Sequence, residues 1–291
     1  MQLEKNNSEK WRGYRYSSIF SRSAIDSIVK RDDYSILQAV IRDYDICNVE
    51  SKIQTYSDFS HYVYRYLTKH YRNEYVFKNS LISMLIKQFK TRETAIFNEF
   101  KVGNSIADLV LFNGISRAYE IKTALDTDKR LVTQMADYKR VFQQRYIVTE
   151  EHCLSKYLNA DPDAGLVLLL ENKGNIKYEI IKEAKTNYFI DPHLVIRCLR
   201  TYEYREMVRR FYGELPQMNA LNSFGICEEL IARIPNDTLM VLFSELMKER
   251  ESNLGFLHKC DKDFRQICLC LHMSEEEYGG LKKKLIVPIK V

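Results

Sequence analysis

The sequence predicts a mixed α/β protein, with a central mixed sheet flanked by helices and helical regions before and after it. Three observations carry that expectation. Apolar residues recur at helical spacing from Ser23 to about Lys90. From residue 94 the pattern changes to short alternating or wholly apolar runs separated by turn chemistry. Beyond Asp191-Pro192 helical spacing returns. These transitions suggest a helical N-terminal region over 1–70, an α/β domain over 71–190 and a helical C-terminal region over 191–291.

Taken in order, residues 1–20 are polar and are expected to be loose at their start. Ala24, Ile25, Ile28 and Val29, then Ile36, Leu37, Val40 and Ile41, predict helices. A further helix is expected over 73–89, with Asn73 as N-cap and Glu74 in the first turn. Strands are expected at Ala95–Val102, Ala107–Phe112 and Arg117–Lys122, the last two joined through the hairpin signal Asn113-Gly114. A helix follows from about Asp128 to Phe142. Then come a strand at Arg145–Val148, a short helix over Glu151–Tyr157, an apolar strand at Gly165–Leu170 and an edge strand at Ile176–Ile181. The two apolar strands suit a sheet buried on both faces. Leu194–Tyr212 and Asn219–Glu251 are the clearest helical stretches thereafter.

Composition bounds the function classes. The chain has 291 residues, 45% hydrophobic and 29% charged, which is ordinary for a globular protein. No apolar run approaches the roughly 20 residues needed to cross a bilayer, so no membrane partner is expected. Residues 1–8 are polar and lack the apolar centre of a secretory signal, so the expected location is cytoplasmic. A net charge of +5 does not by itself imply nucleic acid. Cysteines at 47, 153, 198, 227, 260, 268 and 270 are odd in number and irregular in spacing. They read as reduced thiols, mostly in the core. The run from His258 to His272 lacks paired Cys-x-x-Cys spacing, and Phe264–Met273 looks like one helix that would scatter its ligands.

One constellation carries chemistry. Along strand 117–122 side chains alternate, so Glu120 and Lys122 project one way while Tyr119 and Ile121 project into a core. Asp108 lies on the preceding strand, and the meander can bring it near Glu120. Paired hard oxygen donors suit Mg²⁺ (or Mn²⁺), with the Ile121 carbonyl as a third ligand. Such an ion lowers the pKa of a bound water, and Lys122 would orient the attacking water or neutralise charge on a phosphate.

Asp108 followed by Glu120-Ile121-Lys122, on consecutive strands and before a helix, resembles the motif of the PD-(D/E)XK nuclease superfamily. The span 74–170 resembles its restriction-endonuclease-like core in element order. Asn98-Glu99-Phe100, Ala107-Asp108-Leu109 and Tyr119-Glu120-Ile121-Lys122 are similar to a little-characterised bacterial family of predicted nucleases within it. The resemblance implies that Asp108 and Glu120 bind the metal and that Lys122 assists the nucleophile. Ala107 stands where the motif name has Pro. Gln134 and Tyr138 match a Gln-x-x-x-Tyr element found on the following helix of some members, and share a helix face. Glu74 or Glu99 could supply an additional acid. A literal second match, Pro162-Asp163 with Glu183-Ala184-Lys185, is set aside because Asp163 falls in a loop and no Gln-x-x-x-Tyr helix follows.

Residues 61–92 hold seven Lys/Arg against one acid, interleaved with Tyr62, Tyr64, Tyr66, Tyr71 and Tyr75. Basic side chains hold phosphates and aromatics stack on bases, so Arg72, Lys78, Lys87 and Lys90 are candidate nucleic-acid contacts. The expected protein is a divalent-metal-dependent nuclease acting on DNA, an endonuclease slightly favoured, with flanking helices that bind substrate or form a homodimer. The alternatives are a catalytically silent nuclease fold that binds nucleic acid or a protein partner, and a regulatory protein acting through its helical C-terminal third.

Overall fold

Helical spacing in the first part of the chain becomes helices in the computed structural model, which describes residues 2–44, 46, 52–89, 94–124, 126–172, 175–250 and 254–290. These are α1 (Gln2–Ser17), α2 (Arg22–Arg31), α3 (Ser35–Asp43), α4 (Tyr56–His70) and α5 (Glu74–Gln88). Helix α1 corrects the expectation of a loose start. Among its described side chains the buried side is built on Tyr16. The Arg12 guanidinium lies 5.0–5.2 Å from the rings of Tyr16, Tyr44 and Tyr66, and its Nε donates to the Tyr16 hydroxyl at 2.8 Å.

Helix α4 starts on a capping box. Asp58 N–H donates to Thr55 Oγ1 at 3.1 Å, and Thr55 N–H donates to the Asp58 carboxylate at 2.9 Å. Thr55→Ala is therefore expected to lower stability by about 0.5–2 kcal/mol. Urea denaturation checks this, and an unchanged midpoint would remove the cap from the account.

The sheet has six strands in sequential order: β1 (Ala95–Val102), β2 (Ser105–Phe112), β3 (Ser116–Ile121), β4 (Gln144–Glu150), β5 (Gly165–Asn172) and β6 (Asn175–Lys182). Strands β1–β2 and β2–β3 pair antiparallel, and β3–β4 and β4–β5 pair parallel. The sheet is thus mixed, with helices against it. Helix α6 (Leu131–Lys139), shorter than the expected 128–142, lies between β3 and β4, and α7 (Leu154–Tyr157) follows β4. One face packs Phe97, Phe100, Phe112, Phe142 and Phe243 together, with Phe112 and Phe243 in edge-to-face contact at 5.2 Å.

Two long helical expectations are each divided in two. Leu194–Tyr212 becomes α8 (Pro192–Cys198) and α9 (Thr201–Tyr212), because Leu199 and Arg200 are extended. Asn219–Glu251 becomes α10 (Ser223–Ile231) and α11 (Asn236–Arg250); Pro235 cannot donate into a continuing helix. Phe264–Met273 does hold one helix, shortened to Arg265–Cys270. The chain forms α12 (Leu254–Lys259), a 3₁₀ turn at Lys262–Phe264, α13 (Arg265–Cys270) and α14 (Glu275–Leu285). Cys153, Cys227, Cys260 and Cys268 are buried, Cys198 and Cys270 partly so, and Cys47 lies outside the described residues.

The chain separates into two units. Unit 1 comprises Met1–Gln88, Leu170–Tyr178 and Gly255–Val291; unit 2 comprises Phe89–Leu169 and Glu179–Leu254. These limits differ from the sequence boundaries at 70 and 190, because α5 packs against α13 and because α8 and α11 pack on β1 and β2. Among the described residues no helix is long and apolar enough to cross a membrane.

Within unit 1, His61 Nδ1 and Asp263 Oδ2 lie 2.5 Å apart. The Asp263 bond raises the His61 pKa above its ordinary value, with partial burial opposing and the charges of Asp263, Asp261 and Asp58 adding. A folded pKa above the unfolded one means stabilisation that is full under acidic conditions and is lost as pH rises through the folded value. Melting temperature is therefore expected to fall from mildly acidic to mildly alkaline pH more steeply in the wild type than in His61→Gln. Parallel profiles would contradict the pairing.

Candidate functional site

Strand β3 ends at Ile121, and Lys122 prolongs it by one residue through its N–H, which donates to the Val148 carbonyl at 2.8 Å. Alternation puts Ala118, Glu120 and Lys122 on the face covered by α6. Tyr119 takes the opposite face and stacks on Tyr146 with ring centroids 5.4 Å apart. The β2–β3 register pairs Val110 with Ala118 and Leu109 with Tyr119. One step further it sets Asp108 across from Glu120, a relation in which Cβ atoms are about 5 Å apart. The Ile121 N–H donates to Asp108 Oδ2 at 2.7 Å, so a carboxylate takes the place of a strand carbonyl where the ladder ends.

Helix α6 completes the site. The Lys122 ammonium donates to Glu120 Oε1 at 2.7 Å and to Gln134 Oε1 at 3.2 Å. The Lys122 and Glu120 side chains are 9% and 3% exposed. The Tyr138 hydroxyl lies 2.7 Å from Glu120 Oε2 and 2.8 Å from the Ile106 carbonyl, and its one proton serves one of them at a time. Burial, and then the charge of Glu120 and its hydrogen bond, push the Tyr138 pKa far upward, with the Asp108 charge adding to the shift. Tyr138 therefore stays a donor. Gln134 and Tyr138, one turn apart on α6, both face the strand residues. Asp108, Glu120, Lys122, Gln134 and Tyr138 thus form one neighbourhood.

The additional acids lie elsewhere or are oriented differently. Glu99 occupies the β1 register position across from Asp108, between the pairs Asn98–Leu109 and Phe100–Ala107. Its φ of 53° is in the left-handed region, which breaks the strand's alternation and leaves the side chain exposed. Glu74 belongs to unit 1, where its carboxylate meets Lys78 Nζ at 2.5 Å on the same helix.

The proposed basic face is corrected in part. Lys78 is 2% exposed, because it shares a buried stripe with Leu81, Ile82 and Leu85, so it is not a phosphate contact. Arg72 is half-buried, Lys87 is exposed and Lys90 lies outside the described residues. The tyrosines are half-buried rather than open for base stacking. Tyr75 stacks on Phe20 at 4.7 Å and donates to the Asp263 carbonyl, while Asn79 donates to the Tyr64 hydroxyl. At the second Pro-Asp match, Asp163 meets Lys139 at 3.1 Å and Lys185 at 3.2 Å, which makes it part of a surface ion cluster.

Sequence reasoning missed the polar groups beyond the ends of β3 and β4. Asp126 accepts from the Thr123 N–H and hydroxyl at 2.7 Å each. Asp128 meets Lys156 at 2.6 Å and the Tyr157 hydroxyl at 2.9 Å, and these bonds hold its carboxyl below the usual range. Glu150 accepts from the Ala124 N–H at 3.1 Å. The signal that could have found them is the parallel pair, since ligands of α/β sheets gather at the carboxyl ends of parallel strands.

Protein cII of Enterobacteria phage P4 is 27% identical to this chain over 141 residues, which cover 46% of this chain and 52% of that protein. The match thus spans about half the length of that relative. A solved structure of the SPO1766 protein of unknown function from Silicibacter pomeroyi aligns at 13% identity with a TM-score of 0.32, covering 49% of this chain and 93% of that one. The family described as bacteriophage P4 protein cII matches residues 68–266, well over half of the sequence, and the chain belongs to that family.

Proposed function

We propose that this chain is a divalent-metal-dependent nuclease acting on DNA, with a restriction-endonuclease-like core of the PD-(D/E)XK kind within residues 71–190. The observation that carries the reading is the gathering of Asp108, Glu120, Lys122, Gln134 and Tyr138 on the α6 face where the β2–β3 ladder ends. The donor set fits a hard cation: two carboxylates opposed across paired strands, beside the carbonyl of Ile121. A bound Mg²⁺ or Mn²⁺ would be held by Asp108, Glu120 and Ile121, and would supply charge that makes water nucleophilic and stabilises the phosphate.

The chain's own groups supply the rest. Lys122 brings a fixed positive charge to the phosphate as water attacks in line, and that charge grows more favourable as negative charge builds on the phosphate oxygens. Gln134 and Glu120 hold the ammonium in place. Tyr138 holds the second oxygen of Glu120, so the carboxylate keeps one orientation. The test is incubation of the full chain with supercoiled plasmid and with linear DNA, in Mg²⁺, in Mn²⁺ and in chelator. Nicking in metal alone is expected, and inertness towards both DNAs in both metals would overturn the reading.

A second reading is favoured by one observation. Both Glu120 oxygens already have protein partners, Lys122 and Tyr138, as in a buried structural pair. On that reading the fold binds nucleic acid or a protein without cutting, and DNA would shift in a gel while remaining intact in metal.

A further inference from the structure

A different set of ligands stands at the end of β4. Glu150, His152 and Cys153 place a carboxylate oxygen, an imidazole nitrogen and a thiol sulfur all within 4.8 Å of one another. The turn that follows the strand, a 3₁₀ turn over Glu151–Cys153, brings them together. Register continued from the Ile121–Val148 pair sets Glu150 across from Thr123, one strand over from the Asp108–Glu120 row. We propose that Glu150, His152 and Cys153 form a second metal site, selective for a borderline-soft divalent ion such as Zn²⁺, with three protein ligands and an open fourth position.

Three features support a site over a chance cluster. The Glu150 carboxylate is aimed from outside, because Oε1 accepts from the Ala124 N–H at 3.1 Å, as metal-binding carboxylates are oriented by neighbouring donors. His152 Nε2 lies 3.5 Å from the same oxygen, longer than a good hydrogen bond, and its side chain is 60% exposed, which leaves the ring accessible from solvent. Cys153 is 8% exposed. Burial, and then the Glu150 charge, raise its pKa, with Lys156 and Thr149 acting the other way. A bound divalent ion would hold the sulfur as thiolate.

The chemistry separates this site from the oxygen-lined one. Sulfur and imidazole select Zn²⁺ over Mg²⁺, whereas opposed carboxylates and a carbonyl suit Mg²⁺ or Mn²⁺. Three ligands and an open position are the arrangement of exchangeable and catalytic zinc rather than of a closed structural site. Binding forms a metal–sulfur bond and breaks the S–H bond, so one proton leaves for solvent with each ion bound and affinity rises with pH. The inference does not depend on the nuclease reading.

The test uses the full chain, reduced and freed of metal, titrated with Zn²⁺ against a chromophoric chelator and separately with Co²⁺. The expected result is one tight equivalent, proton release on binding, and a thiolate-to-cobalt charge-transfer band in the near ultraviolet. Cys153→Ser should abolish the band, and His152→Ala should weaken Zn²⁺ binding by at least about tenfold. Asp108→Asn and Cys198→Ser should retain both, with circular dichroism confirming that each variant is folded. Absence of the band in the wild type, or its persistence in Cys153→Ser, would overturn the proposal.

Discussion

Asp108→Asn is expected to lower divalent-dependent DNA cleavage by at least about 100-fold, the upper range seen even for groups that only support a metal ligand. The asparagine amide keeps an oxygen that can still accept from the Ile121 N–H, now 2.7 Å from Asp108 Oδ2. The ladder end is thereby preserved and the charge alone is removed. Melting temperature should accordingly stay close to that of the wild type, so the loss reads as chemistry rather than unfolding. Rates of plasmid nicking measured side by side in Mn²⁺ decide the matter. Cleavage by Asp108→Asn at the wild-type rate would mean that this carboxylate has no part in the reaction.

Lys122→Met is expected to cost about 3–5 kcal/mol of stability. The ammonium is the cation facing Glu120, whose side chain is 3% exposed, and its removal leaves a buried carboxylate with the Tyr138 hydroxyl beside it. Glu120→Gln combined with Lys122→Met should recover most of the loss, because a neutral pair no longer carries an uncompensated charge. Chemical denaturation of the three variants gives the comparison. The same series bears on metal binding: Mn²⁺ should restore part of the stability of Lys122→Met by occupying the place of the lost charge. A loss under about 1 kcal/mol would show that the pair is better solvated than its burial implies.

The strands were legible because each carries its own punctuation. Val102-Gly103-Asn104-Ser105 and Asn113-Gly114 mark the turns, and the observed β1 begins at Ala95 and ends at Val102, where the first turn begins. The association of Asp108 with Glu120 was legible for the same reason, since a short hairpin fixes register. The N-terminal helix was not legible. Its buried side rests on Tyr16 and on an arginine enclosed by tyrosines, and a polarity scale counts those as surface. Lys78 misled in the opposite way, as a charge lying within a buried stripe and neutralised by Glu74. Glu99 could not be foreseen because nothing in Asn98-Glu99-Phe100 announces a left-handed backbone. The Glu150–His152–Cys153 group escaped notice because its members look unrelated until the turn after β4 brings their ligand atoms together.

The division into units has a consequence for synthesis. Unit 1 draws on Met1–Gln88 and Gly255–Val291, with α5 packed on α13, whereas all of unit 2 is encoded between them, together with the Leu170–Tyr178 piece of unit 1. As the ribosome emits the chain, α1–α5 emerge first and must wait, with part of their apolar surface uncovered, until the stretch carrying α13 and α14 has left the exit tunnel. Unit 2 can meanwhile close its sheet. Nascent chains halted shortly after residue 254 should therefore protect the β-strands from protease while α5 remains open to cutting and to chaperones.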